Sequence, residues 1–287
     1  MTMSNHARSA EPPSPTPSEA EALRSPLLIE GGFQHAFFTR RGGVSRPPYD
    51  TLSFSIAGGD DPEAVRENRR RAARALGVEE RRLHYLSQVH GTDASVLTDE
   101  DDPDQVVRRV GDITLSSTPG VACGVRSADC VPVLLGDLDT GSVAAVHSGW
   151  KGTLLRAAVI GVQRLRSLIG GPGRLVAAIG PCISVCCFEV GEDVASQLCQ
   201  ASIAGASVLS HGPATESARR RTGSDAPTPR IDLRRIVRAQ LEEQGLSNDS
   251  IEDVPGCTVC DAGLFHSYRR DGERSGRLLS AIVPRTR

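Results

Sequence analysis

Apolar residues along this chain come mostly in short, β-branched runs that stop at polar, glycine-containing turns. VACGVRSAD (121–129), CVPVLLGD (130–137) and SVAAVH (142–147) follow one another in this way, and they predict a strand-rich block over residues 106–147. FQHAFFTR (33–40), RLHYLSQVHG (82–91), RLVAAIG (174–180) and GRLLSAIVP (276–284) predict further strands. A period near 3.6 takes over elsewhere. The clearest helix begins at Asp60 or Asp61 as cap, with Pro62 in its first turn and Glu63 facing the dipole, and it stops at Gly77. GTLLRAAVIGVQRLRSLIGG (152–171) predicts one apolar-faced helix and GEDVASQLCQ (191–200) a short one. IDLRRIVRAQLEEQGL (231–246) predicts another, capped near Asp232 and stopped at Gly245.

Strands and helices mix without a regular βα repeat, so the pattern predicts an α+β fold rather than a doubly wound sheet. With 287 residues, the chain can build one large domain with a sizeable core. Residues 1–26, rich in Pro, Ser and Glu, are expected to form a disordered tail, and residues 27–287 a single catalytic domain. Residues 203–230 lack apolar periodicity and are expected to be a flexible insertion.

Composition narrows the function classes. The net charge of −2 gives no reason to expect a nucleic acid or an anionic membrane as partner, and nothing in the sequence points to a protein partner. No apolar stretch approaches the roughly 18 residues that span a bilayer, and the N-terminus has no signal-peptide core, so a cytoplasmic location is expected. In that reducing compartment the eight cysteines read as thiols, ligands or nucleophiles rather than a disulfide framework.

Three residues stand where a predicted strand meets a polar turn: His90 in SQVHGTD, Cys130 in SADCVP and His147 in AAVHSGWKG. Rigid strand ends facing loops suit a preorganised site. By residue type the set reads as three zinc ligands, as a thiol with its base, or as separate buried residues. Asp129, beside Cys130, reads as a general base, as the orienter of a metal-bound histidine, or as a structural hydrogen-bond acceptor. Cys182, Cys186 and Cys187 lie between a strand and a helix; three thiols there could bind metal, but with only Glu189 at ligand spacing they are expected to pack as small residues at the Gly180–Pro181 turn. Cys257 and Cys260 form a C-x-x-C. They lack the H-x-E partner of nucleobase deaminases and sit in a predicted loop, not at the helix start a redox motif needs.

Cationic side chains gather at the polar turns. Arg40 and Arg41 precede Gly42 and Gly43, Lys151 follows the His147 turn, and Arg269, Arg270 and Arg277 flank another glycine turn. The grouping suggests a phosphate or carboxylate site, although the G-x-x-x-x-G-K-[ST] loop is absent.

QVHGTD, SADCVPVLL, AAVHSGWKGT, IGPCISVCCFEVGEDV and LFHSYRRDGERSGR occur in an order that resembles the laccase-domain family, as do FTRRGGVS and GDDPEAVRENR upstream. The resemblance runs from about Phe33 to the C-terminus. It implies a layered α/β sandwich like that of cysteine hydrolases of the toxin-deamidase type. It also implies one metal, usually zinc, on His90, Cys130 and His147. The implied activities are phosphorolysis of adenosine, inosine and methylthioadenosine and some adenosine deamination, in which metal-activated water is the nucleophile. Purine nucleoside and phosphate are then the partners, with phosphate expected on Arg40, Arg41, Lys151 and Arg270. A bacterial branch resembles amidases that edit muramyl precursors, which would make Cys130 the nucleophile and His147 its base. The older polyphenol-oxidase reading needs several coppers, and one ligand set among seven histidines supports it poorly. Relatives usually carry Asn where Ser53 stands, His where Ala57 stands, and often an aromatic at His266, so the pocket shape is expected to differ.

Overall fold

A computed structural model describes residues 19–55, 59–215, 219, 223 and 225–286. In chain order the strands are β1 (Ala22–Leu23), β2 (His35–Phe38), β3 (Leu83–His84), β4 (Ala94–Val96), β5 (Ile113–Ser116), β6 (Ala122–Ser127), β7 (Val131–Asp137), β8 (Val143–Ser148), β9 (Leu175–Ile179), β10 (Leu209–Gly212), β11 (Thr228–Ile231), β12 (Ile251–Asp253) and β13 (Leu278–Ile282). The helices are α1 (Pro26–Glu30), α2 (Pro62–Ala75), α3 (Pro103–Val106), α4 (Trp150–Leu154), α5 (Ala157–Ile169), α6 (Glu192–Ala201), α7 (Leu233–Glu243) and α8 (Tyr268–Asp271).

Two mixed sheets dominate, one ordered β1-β2-β13-β6-β3 and the other β12-β9-β7-β8-β5-β4. Their facing sides meet in one core, where Phe37, Val125 and Ile282 of the first sheet pack with Leu134, Ala145 and Ala178 of the second. The outer side of the six-stranded sheet carries α5, α6 and α7 through Val146, Val162, Leu198 and Val237. The outer side of the five-stranded sheet takes α2 through Ala72, Ala73 and Leu76 against Phe38 and Phe54. The layers therefore run helix, sheet, sheet, helix, an α+β sandwich. β7 and β8 are buried on both faces, which is why their sequences are continuously apolar instead of alternating.

α2 starts as its sequence predicts. The Asp61 carboxylate accepts from the Glu63 N–H at 3.0 Å, and Pro62 occupies the first position, where its missing N–H costs nothing. The predicted helix over 152–171 is instead two helices. Leu155 is 57% exposed and Arg156 takes a left-handed conformation (φ 62°) between them. The Gln240 amide of α7 donates to the Thr153 carbonyl at 2.9 Å, satisfying a group that a continuous helix would have used itself. Order also begins earlier than the expected boundary near residue 27, because Ala22 and Leu23 pair with Phe38 and Phe37. Residues 1–18 of the expected tail lie outside the described residues. Within 203–230, β10 and β11 form an antiparallel pair, each strand too short for its period to show in the sequence. Among the described residues no helix is long and apolar enough to cross a membrane.

Candidate metal centre

Strand register assembles the site. β5 and β8 pair antiparallel with Ile113 opposite Val146, and β7 pairs with β8 with Val131 opposite Ser148. Asp112, just before β5, therefore lies across from His147, whose N–H donates to the Asp112 carbonyl at 2.9 Å. Cys130, just before β7, comes to the same end of the sheet. The loop bearing His90 is tied alongside by a bridge between Ser87 and Val110.

The ligand atoms of His90, Cys130 and His147 all lie within 4.8 Å of one another. Cys130 Sγ stands 3.8 Å from His90 Nε2, and the two imidazole rings meet edge to face with centroids 5.0 Å apart. Exposure is graded, from buried His147 through half-buried Cys130 to exposed His90, so the group opens to solvent on one side. His90 adopts a left-handed conformation (φ 63°), a strained state for a non-glycine residue that its surroundings must hold.

One carboxylate does much of that holding. Asp112 is fully buried, and its Oδ1 accepts from His147 Nδ1 at 2.8 Å and from the His90 N–H at 3.0 Å. Its Oδ2 accepts from the Gly91 N–H at 2.7 Å and the Val89 N–H at 3.2 Å. An ionised carboxylate has no proton to give, so Nδ1 of His147 carries one and Nε2 is the nitrogen that can bind a metal once it gives up its own proton. Burial opposes the charge on Asp112, but the bonds from His147 and from the backbone outweigh it and hold its carboxyl below the usual range. Burial alone would also push the Cys130 thiol up. The His147 charge and hydrogen bonds from both histidines reverse this and bring it down to about 6. His147 moves the other way, to about 9, because the Cys130 and Asp112 charges outweigh the effect of burial. Two imidazoles and a thiolate that favours its ionised form are the donor set of a zinc site with an open position. Gly149 makes room for it, since a Cβ there would lie 2.7 Å from Cys130 Sγ and 2.8 Å from the His90 ring.

Sequence reasoning missed Asp112. Its only local signal is an acidic residue directly before an apolar strand, and the register alone reveals what it faces. Asp129, also strained (φ 95°), has both oxygens occupied. Oδ1 accepts from the Thr258 hydroxyl and Oδ2 from the Arg269 N–H, each at 2.6 Å. The partner on the His147 ring is thus Asp112, and Asp129 instead fixes the loops beside Cys130.

The predicted anion-binding residues part company in the same way. Arg40 spends its guanidinium on the Asp50 and Ala262 carbonyls and on an ion pair with the Asp50 carboxylate. Arg270 spends its own on the carbonyls of Thr258, Val259 and Phe265 and on the Asp271 carboxylate. Arg41 bonds the Gly263 carbonyl and pairs with Glu21. These three fasten the 258–265 loop. Lys151 is exposed, lies within α4 rather than ahead of it, and stacks its ammonium 5.6 Å from the Trp150 ring centroid. It makes no hydrogen bond or ion pair among the described residues. Arg277 lies over Tyr268, and burial lowers its pKa while the charge of Cys130 acts in the other direction, which puts it within electrostatic reach of the thiolate.

Of the departures from the usual family pattern, Ser53 is fully buried and its hydroxyl accepts from the Arg277 N–H at 3.3 Å, tying it to that wall of the site. Ala57 lies outside the described residues. His266 is fully buried against Gly276, and burial followed by the charge of Arg40 lowers its pKa to about 3.

Comparison with known proteins agrees with this architecture. The chain is 37% identical to a purine nucleoside phosphorylase of Streptomyces coelicolor over 251 residues, covering 88% of this chain and 95% of that protein. It is 37% identical to a purine nucleoside phosphorylase of Deinococcus radiodurans over 270 residues, covering 92% and 93%. The crystal structure of YlmD from Geobacillus stearothermophilus superposes with a TM-score of 0.79 at 30% identity, covering 94% of this chain and 98% of that one. Residues 34–285 match the family described as multi-copper polyphenol oxidoreductase laccase, and this chain belongs to that family.

Proposed function

We propose that this chain is a zinc-dependent purine nucleoside phosphorylase acting on adenosine, inosine and methylthioadenosine, with adenosine deamination as a second activity of the same site. The observation that carries the reading is the convergence of His90, Cys130 and His147 in a chain 37% identical to proteins so named. His90, Cys130 and His147 would hold the ion. When bound, zinc supplies a Lewis acid at the solvent-facing position of the site.

In phosphorolysis an oxygen of inorganic phosphate bonds to the anomeric carbon of the ribose. The bond from that carbon to the purine nitrogen breaks, and the purine leaves with the electron pair and takes up a proton. Lys151, exposed and without a hydrogen bond or ion pair among the described residues, and Arg277, whose Nη1 is held by the Ser275 and Gly276 carbonyls, orient the phosphate. Asp112 keeps His147 in one tautomer, and Asp129 keeps the Thr258 and Arg269 segments in place. A cytoplasmic location belongs to this reading, because none of the eight cysteines is joined in a disulfide.

The test is adenine release from adenosine by metal-replete protein with and without phosphate. Release that needs phosphate, yields ribose 1-phosphate and disappears in His147→Ala supports the assignment. Release indifferent to phosphate, or retained in His147→Ala, refutes it.

The nearness of the Cys130 thiol to His147, whose ring is held in turn by Asp112, favours one second reading, a thiol amidase acting on a muramyl-aminoacyl bond. Zinc that stays at one equivalent on this site through dialysis supports the phosphorylase. Rapid one-to-one alkylation of Cys130 in protein as purified supports the amidase. A multicopper oxidase needs several histidine-rich sites, and among the described residues one ligand cluster contains histidine.

A further inference from the structure

The two cysteine groups that the sequence separates by some 70 residues meet in space. β12 lies parallel to β9, with Ile251 beside Ala177 and Asp253 beside Ile179, so the segments leaving both strands emerge side by side. A bridge between Cys182 and Cys257 continues the pairing, with the Thr258 N–H donating to the Cys182 carbonyl at 3.1 Å. Cys186 and Cys187 sit in the turn that follows on one segment, and Cys257 and Cys260 on the other.

The four sulfurs all lie within 4.8 Å of one another. Cys186 Sγ is 3.6 Å from Cys187, 3.8 Å from Cys257 and 3.7 Å from Cys260, and Cys187 is 3.4 Å from Cys260. A tetrahedral zinc with Zn–S bonds of about 2.3 Å separates its sulfurs by about 3.8 Å. A polynuclear iron–sulfur cluster would hold its thiolates farther apart, because several metal atoms lie between them. The surroundings suit a cluster with negative charge. Arg230 donates to the Cys186 carbonyl at 2.8 Å, Arg269 to the Cys187 carbonyl at 3.2 Å, and Arg270 to the Thr258 carbonyl at 2.9 Å. Three guanidinium groups thus converge on the two cysteine segments and offset the excess charge of four thiolates on a divalent ion.

We propose that Cys186, Cys187, Cys257 and Cys260 form a second, structural zinc site, distinct from the His90–Cys130–His147 centre. With four protein ligands it leaves no position for substrate, so its role is mechanical. It clamps the 182–189 segment to the 257–271 segment. The second of these carries Thr258 and Arg269, the two groups that grip Asp129 beside Cys130. The ion therefore fastens the wall of the other site.

The test is zinc per chain in protein purified without added metal, measured by mass spectrometry on wild type, His147→Ala and Cys186→Ser/Cys260→Ser. The expected values are two, one and one equivalents. Cobalt uptake by His147→Ala covers the case in which the serine double variant fails to fold. That protein keeps all four cysteines, and it should bind one Co2+ per chain with intense thiolate-to-cobalt absorption and four thiols protected from a disulfide reagent. Iron in place of zinc, cysteines recovered as disulfides, or a His147→Ala protein that takes up no thiolate-bound cobalt would each overturn the proposal. None of these readouts depends on turnover, so the site stands or falls separately from the phosphorylase assignment.

Discussion

Replacing Asp112 with asparagine tests the metal centre through a residue that never touches the metal. The side chain keeps its shape but loses its charge and one acceptor. Asp112 accepts four hydrogen bonds in a fully buried position, from His147 Nδ1 and from the N–H groups of Val89, His90 and Gly91. If the amide oxygen of Asp112→Asn stays on the Gly91 side, the NH2 group faces His147 Nδ1 and the His90 N–H. It can donate to His147 only when the ring carries its proton on Nε2, the atom the metal needs. It cannot accept from His90 at all, so the strained turn that presents His90 loosens. Loss of such an outer-shell carboxylate lowers metal affinity about 10- to 100-fold, or about 1.4–2.7 kcal/mol. The assay is competition with a chromophoric zinc chelator, alongside circular dichroism and thermal melting to show that the variant is folded. Asp129→Asn is the comparison, because its carboxylate holds Thr258 and Arg269 rather than His147. Wild-type affinity in Asp112→Asn, or a larger loss in Asp129→Asn, would refute the reasoning.

Four further outcomes are expected. Gly149→Ala, at a backbone angle any residue tolerates (φ −73°), puts a methyl 2.7 Å from Cys130 Sγ, so metal content and activity should fall while the melting temperature hardly moves. Lys151→Ala should raise KM for phosphate with little change in stability, whereas Arg270→Gln should destabilise the fold by about 2–4 kcal/mol by leaving three loop carbonyls without their donor; the two effects are read from phosphate titrations and denaturant curves. His84 is buried, among the described residues neither of its ring nitrogens has a hydrogen-bond partner, and burial, then the charge of Arg69, lowers its pKa to about 4. The unfolded chain binds that proton first. Stability is therefore full above about pH 6.5 and declines as pH falls toward 4, at up to about 1.4 kcal/mol per unit. Denaturant curves at pH 7.5, 6 and 5 should show a shallower decline in His84→Leu than in wild type, and parallel declines would count against it.

Strands β7, β8 and β9 and helices α2 and α7 were legible because burial on both faces, or on one stripe, writes itself into local composition. The break between α4 and α5 was not, because the apolar period runs on through Leu155 and Arg156 while the cause, Gln240, lies in another helix. Arg40 and Arg270 looked like anion ligands because a guanidinium at a polar turn reads alike whether it meets phosphate or backbone carbonyls, and only the loop path tells the two apart. Asp112 left almost no trace for the same reason, since its partners are chosen by strand register.

By itself the sequence determined the central strands β7, β8 and β9, helices α2 and α7, and that Cys130 and His147 stand at strand ends; it placed His90 at the end of a strand too, whereas β3 stops at His84 and His90 stands in the loop beyond. Their meeting was the work of β5 and β7 flanking β8, a long-range pairing whose register puts Asp112 and Cys130 at the same end of the sheet as His147. The four cysteines depended on tertiary structure still more. They sit in two turns that look like unrelated loops until β12 pairs in parallel with β9, and parallel strands can only be neighbours through chain that travels far away and returns.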